Sequence, residues 1–178
     1  MRKTALLVID VQIGLLEGPE AVHDPDGLLA RLARLVAAAR HERIPVVYVQ
    51  DVDVGGPGTR EYEIHPTISA REGELSIHKT ACDSFFDTEL HDELQARGIG
   101  HVVVVGLKSQ FCIDTTARRA TSLGYDVTLV ADGHSTSDSP VLSAKQVIAH
   151  VNSTLDGFGT RTGACEVRPI EMIRLGDR

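Results

Sequence analysis

Four short apolar runs, each bounded by polar or turn residues and rich in β-branched side chains, constrain this chain most: residues 5–11, 45–50, 101–107 and 125–131. Runs of that length without polar alternation are the pattern of strands buried on both faces, as in a parallel sheet. Segments with helical spacing separate them. Leu28, Leu29, Leu32, Leu35 and Val36 line one face of 26–41, with Asp24 or Asp26 placed to cap its start. Further helices are predicted over 87–97, over 112–123 with a stop at Gly124, and over 139–155 with a stop near Gly157. A weaker strand, Leu75–Lys79, follows a loop marked by Gly55, Gly56, Pro57 and Gly58, which is placed to cover a site. The tail adds a last strand, Cys165–Arg168, and one helical turn. Strand alternating with helix predicts an α/β fold: a three-layer, doubly wound, mostly parallel sheet.

At 178 residues, 42% hydrophobic and 24% charged, the chain has the makeup of one globular domain, 1–178, able to bury about 70% of its unfolded surface. Its net charge of −7 repels phosphate backbones and anionic lipid surfaces, so neither nucleic acid nor a membrane is an expected partner. Met1, Arg2 and Lys3 ahead of an apolar run suggest a signal peptide, but Asp10 and Gln12 interrupt that run, which reads instead as a first strand. Cys82, Cys112 and Cys165 offer neither a disulfide framework nor a CxxC zinc site. Reduced thiols in a cytoplasmic protein are the expectation.

In a doubly wound sheet, ligands bind beyond the carboxyl ends of the strands, where strand order reverses. That rule selects Asp10, Asp51, Lys79, the turn Gly106-Leu107-Lys108-Ser109, Cys112 and Asp132. Cys112 opens a predicted helix, whose dipole and free N–H groups favour a thiolate, so its pKa is expected to be depressed. Its competing role is a small apolar side chain packing the first turn. Lys79 follows an apolar strand and is placed either to stabilise an anion or to sit solvated at the sheet edge. Asp10 stands inside an apolar run, where a carboxylate is expensive unless paired, and its competing role is a turn or helix cap. Together a base, a nucleophile and a cation suit acyl transfer.

Three blocks carry a resemblance: Leu6 to Gln12 (LLVIDVQ), Ile77 to Leu90 (IHKTACDSFFDTEL) and Gly106 to Ala120 (GLKSQFCIDTTARRA), with Leu129 to Thr136 (LVADGHST) beyond. They resemble the isochorismatase-like cysteine hydrolases, which include nicotinamidases, carbamoylsarcosine-type amidohydrolases, streptothricin hydrolases and isochorismatases. The resemblance implies a Rossmann-like domain and a catalytic triad of Asp10, Lys79 and Cys112. It also implies a cis peptide between Leu107 and Lys108, with the backbone N–H groups of Lys108 and Cys112 forming an oxyanion hole. Many relatives carry a small residue at the position of Lys108, so the role of that side chain stays open.

The resemblance further implies that Gln12, Leu15, Phe111 and one of Phe85 and Phe86, with Phe85 preferred, line a substrate pocket, although core packing competes for Leu15 and Phe111. Nicotinamidases carry a DxH metal site where this chain reads Asp51-Val52-Asp53, so no metal and no cofactor is expected. Cys82 reads as a buried structural cysteine, with a second thiol near the pocket as its competing role, Cys165 as inert, and His65, His78 and His134 as loop or strand-end histidines without metal spacing. A homo-oligomer of two or more copies is expected on resemblance alone. The implied function is cleavage of an amide, cyclic amide or ureido C–N bond of a small molecule through a cysteine thioester. Two alternatives remain: a vinyl ether hydrolase that dispenses with Cys112, and a non-catalytic redox-responsive thiol protein.

Overall fold

The computed structural model describes residues 2–175. The elements run β1 Lys3–Ile9, α1 Ile13–Leu16, α2 Pro25–His41, β2 Val46–Asp51, β3 Leu75–Lys79, α3 Leu90–Ala96, β4 Ile99–Leu107, α4 Asp114–Ser122, β5 Asp126–Ser135, α5 Ala144–Leu155 and β6 Cys165–Arg168. The six strands form one sheet in the order β3-β2-β1-β4-β5-β6, each neighbouring pair parallel. The expected fold is therefore the observed one, with the switch point between β1 and β4.

The continuous apolar runs have a simple cause: both faces of the sheet are covered. In β1, Ala5, Leu7 and Ile9 face a core shared with α3, α4 and α5, while Leu6 and Val8 face Leu28, Leu32 and Val36 of α2. All five of these β1 residues are sealed from solvent. Burying one Val, Leu or Ile side chain is worth about 1.5–3 kcal/mol, so β1 cannot tolerate a shift of register. Among the described residues no helix is long and apolar enough to cross a membrane.

Several element starts differ from expectation, each for a local reason. The last long helix begins at Ala144 because Ser143 caps it in a reciprocal capping box with Gln146, while Ser139 closes a separate turn with Leu142. α3 begins at Leu90, since Asp87 has a φ of 53°, outside helical space. Asp24 precedes α2 with left-handed backbone and makes no side-chain cap; its carboxylate instead meets Arg31 at 3.2 Å. Cys112 does not open a helix: it lies in a single π turn, Ser109–Ile113, and α4 starts after it. The short α1 and two 3-10 turns, Pro66–Ile68 and Ile170–Met172, complete the chain. The first of the 3-10 turns carried no periodic signal.

At the switch point the backbones nearly touch. Gly106, on β4, has a φ of 123°, and a Cβ there would lie 1.9 Å from the carbonyl oxygen of Ile9 on β1. Only glycine fits.

Candidate active site

The carboxyl ends of β1, β2 and β3 and the turn after β4 each deliver one ionisable side chain. Asp10 follows β1 with a φ of 52°, an unusual conformation for a residue with a side chain, held by a 2.8 Å hydrogen bond from its N–H to the Val49 carbonyl. Asp51 ends β2, Lys79 ends β3, and Cys112 sits in the π turn after β4. The structure thus brings Asp10, Lys79 and Cys112 together. It also adds Asp51, a strand-end candidate outside the expected triad.

Lys79 is the hub. Its side chain is fully buried, and Nζ lies 2.5 Å from Asp51 Oδ2, 2.9 Å from Asp10 Oδ2 and 3.3 Å from Cys112 Sγ. Asp10, Asp51 and Cys112 each present a donor atom within 4.8 Å of the others, the grouping a metal ion would need. The Lys79 ammonium lies within bonding distance of all three, so the cation among these donors is a side chain of the chain itself. Asp53 stands apart: its side chain is exposed, and its N–H donates to Asp51 Oδ1 at 3.0 Å.

The electrostatics follow from burial and neighbours. Burial raises the Asp10 carboxyl to about 6, against the lowering influence of Lys79. Burial alone would lower Lys79, but the charges of Asp10 and Cys112 and the hydrogen bond to Asp51 outweigh it and hold the ammonium above its usual range. The Cys112 thiol is pushed up, first by burial and then by Asp10, with Lys79 opposing. This corrects the expected depression. The sulfur lies inside a π turn rather than at a helix start, and it faces a site where two carboxylates already outnumber one ammonium. The resting site is therefore thiol, carboxylate and ammonium. Asp10 Oδ1 is buried and, among the described residues, has no hydrogen-bond partner, which leaves it free to accept a proton.

The peptide between Leu107 and Lys108 is cis. The Lys108 carbonyl accepts hydrogen bonds from the N–H groups of Phe111, at 3.1 Å, and Ile113, at 3.3 Å, which closes the π turn around Cys112. The Lys108 side chain is half-buried.

The expected pocket residues divide. Gln12 is buried, but its amide is spent on backbone: Nε2 donates to the carbonyls of Asp51 and Tyr62, and Oε1 accepts from the Asp51 N–H at 2.9 Å. It positions Asp51, with its amide donors already spent on backbone carbonyls. Leu15 packs, half-buried, against the α2 side of the core. Phe85 is buried in the core on the other face of the sheet, the cluster that also holds Cys112, with its ring stacked 5.9 Å from Tyr125. Phe86 is the exposed ring of the pair, and Phe111 is half exposed beside Cys112.

Cys82 is exposed, not buried as expected, whereas Cys165 is buried with its thiol pushed up to about 12 by that burial. Asp132 lies outside the site and anchors the tail by accepting from the Ile170 N–H. The loop over 52–74 does lean on the strand end: Ile13, Gly14 and His65 exchange backbone hydrogen bonds with Glu63, Glu61 and Val11 across it.

Fold and site together define a doubly wound α/β domain with a cluster of ionisable side chains at the carboxyl ends of its strands. The chain belongs to the isochorismatase family: the Isochorismatase domain model matches residues 4–154. It is 38% identical over 140 residues to a streptothricin hydrolase of Streptomyces noursei, covering 76% of this chain and 51% of that protein. It is 28% identical over 139 residues to a ureidoacrylate amidohydrolase of Variovorax paradoxus, covering 60% of this chain and 55% of that protein. The chain thus spans about half the length of each of these two relatives. Among solved structures, an isochorismatase from Pseudomonas putida KT2440 superposes with a TM-score of 0.85 at 30% identity, covering 96% of this chain and 90% of that one.

Proposed function

We propose that this protein hydrolyses an amide, cyclic amide or ureido C–N bond of a small molecule through a thioester on Cys112. The observation that carries the reading is the Lys79 ammonium bonded at once to Asp10, Asp51 and the Cys112 sulfur, with the Lys79 and Asp10 side chains sealed from solvent. A carboxyl near 6 is ionised at neutral pH yet readily protonated, which suits a base that must later act as an acid.

In the first half-reaction the Cys112 sulfur adds to the substrate carbonyl while its proton passes to Asp10. The thiol's raised pKa makes this transfer part of the attack, since a free thiolate beside two carboxylates is disfavoured. Lys79 stays protonated and offsets the charge that develops on sulfur. The backbone N–H groups of Lys108 and Cys112 hold the oxyanion. Collapse breaks the C–N bond, and the leaving amine takes the proton from Asp10. In the second half-reaction water gives a proton to Asp10 and attacks the thioester, releasing the acid and restoring the thiol. The names of the streptothricin hydrolase and the ureidoacrylate amidohydrolase support an amide-type substrate.

The test is turnover of a panel of primary amides, lactams and carbamoyl compounds by the wild type and by Cys112→Ala, with intact-protein mass spectrometry for an acyl adduct. Loss of turnover in the variant and an adduct on Cys112 in the wild type are expected. Turnover that survives the substitution would replace this reading with a Cys-independent hydrolase.

A further inference from the structure

His134 is a buried titratable side chain that the chemistry above does not use. It reaches its place through an irregularity in β5. Val104 pairs with Leu129 and Gly106 with His134, so two steps along β4 are matched by five along β5. The three extra residues carry His134 to the end of the strand, beside the turn that bears Cys112.

There the imidazole is bonded at both nitrogens. Its Nδ1 lies 2.8 Å from Ser109 Oγ and its Nε2 lies 2.9 Å from Asn152 Oδ1. Asn152 Nδ2 donates to the Ala131 carbonyl at 2.9 Å, which turns Oδ1 toward the ring. The histidine must therefore carry its proton on Nε2 and accept the Ser109 hydroxyl at Nδ1. Burial lowers its pKa, so the ring stays neutral at ordinary pH. Ser109 and His134 are both sealed from solvent, and Asn152 is half-buried on α5.

Ser109 directly follows Lys108 and begins the π turn that ends at Ile113. Its side chain is thus tied to α5 through one imidazole in one tautomer, while its backbone lies between the two N–H groups assigned to the oxyanion. We propose that Ser109, His134 and Asn152 are positioning residues that hold this turn in the geometry needed to bind the carbonyl oxygen. The proposal rests on the hydrolytic reading above and extends it to residues that touch neither thiol nor substrate. Displacing a positioned group by about 1 Å costs roughly 10²-fold in rate, so a relay of this kind acts on the chemical step more than on binding.

The test uses p-nitrophenyl acetate as an acyl donor. Its carbonyl forms a bond to Cys112 Sγ, the C–O bond breaks, and p-nitrophenol leaves with the thiol proton. Acylation is followed as a p-nitrophenolate burst, with burst amplitude counting competent Cys112. Ser109→Ala, His134→Gln and Asn152→Ala are each expected to lower the acylation rate constant per competent site roughly 10- to 100-fold with KM changed less than about threefold. The Ser109→Ala/His134→Gln pair should be no slower than the slower single variant, because both cut one chain.

Acylation at the wild-type rate in Ser109→Ala, with a Cys112-dependent burst in the wild type, would overturn the positioning proposal alone. A burst that persists in Cys112→Ala would overturn the hydrolytic reading and the proposal with it. Ser109→Ala removes one oxygen and creates no charge, so it decides the matter even if His134→Gln fails to fold.

Discussion

Lys79 Nζ lies 2.9 Å from Asp10 Oδ2, and neither side chain reaches solvent. A buried ion pair is costly to form and costlier to break, because removing one partner strands the other. Here the pair is shared with Asp51 and faces a thiol, so its charges are poised over a reactive atom as well as over each other.

The acid limb of kcat/KM should therefore report Asp10. Below about pH 6 its carboxyl is protonated in the free enzyme and cannot take the Cys112 proton, so the rate should fall tenfold per pH unit there. Asp51 raises the Asp10 pKa, and Asp51→Asn also leaves Lys79 more fully to Asp10. Both effects move the limb to lower pH. A pH–rate profile of the variant in which the limb stays put or rises would contradict this assignment.

Cys112 should alkylate slowly at neutral pH and Cys82 faster, the reverse of what a helix-start thiolate would do. The physical cause is the raised pKa of a buried thiol beside Asp10, against an exposed competitor. Iodoacetamide labelling read by peptide mass spectrometry should show the Cys112 rate climbing with pH without a plateau near the ordinary value of about 8.5. Lys79→Met should slow it further, since the ammonium is what opposes the rise. It should also destabilise the fold by about 3–5 kcal/mol by stranding two carboxylates.

Gly106→Ala should disrupt the switch point. A methyl group 1.9 Å from the Ile9 carbonyl cannot be accommodated without moving β1, and a loss of about 3 kcal/mol or more is expected. For a domain of this size that is a fall in Tm of about 6–12 °C by scanning calorimetry. An unchanged Tm would mean that the strands are not so closely approached.

The strand-end residues were legible because period and position are local properties. Asp10 in an apolar run, Lys79 at the end of a strand and Cys112 at the start of a predicted helix could each be selected without coordinates, and the family motifs chose the same three. Asp51 was visible as a strand end, but its bond to Lys79 depends on β2 and β3 being neighbours in register, which no spacing encodes. Phe85 and Phe86 are adjacent in a turn with no periodicity, so nothing local says which ring packs against Tyr125. The expected thiolate failed for a related reason: helix-start logic counts the nearby backbone and omits a carboxylate that arrives from β1.

What the sequence alone determined is the alternation of buried strands and amphipathic helices, and with it the doubly wound sheet and the edge at which chemistry can occur. Hydrophobic periodicity is enough for that, because burial on two faces demands continuous apolar runs. The tertiary structure alone decided the charge state of the site, the spending of the Gln12 amide on Asp51, and the chain from Ser109 through His134 to Asn152. Each depends on distances between groups far apart in sequence, and electrostatic and hydrogen-bond energies change over an ångström where hydrophobic patterning does not.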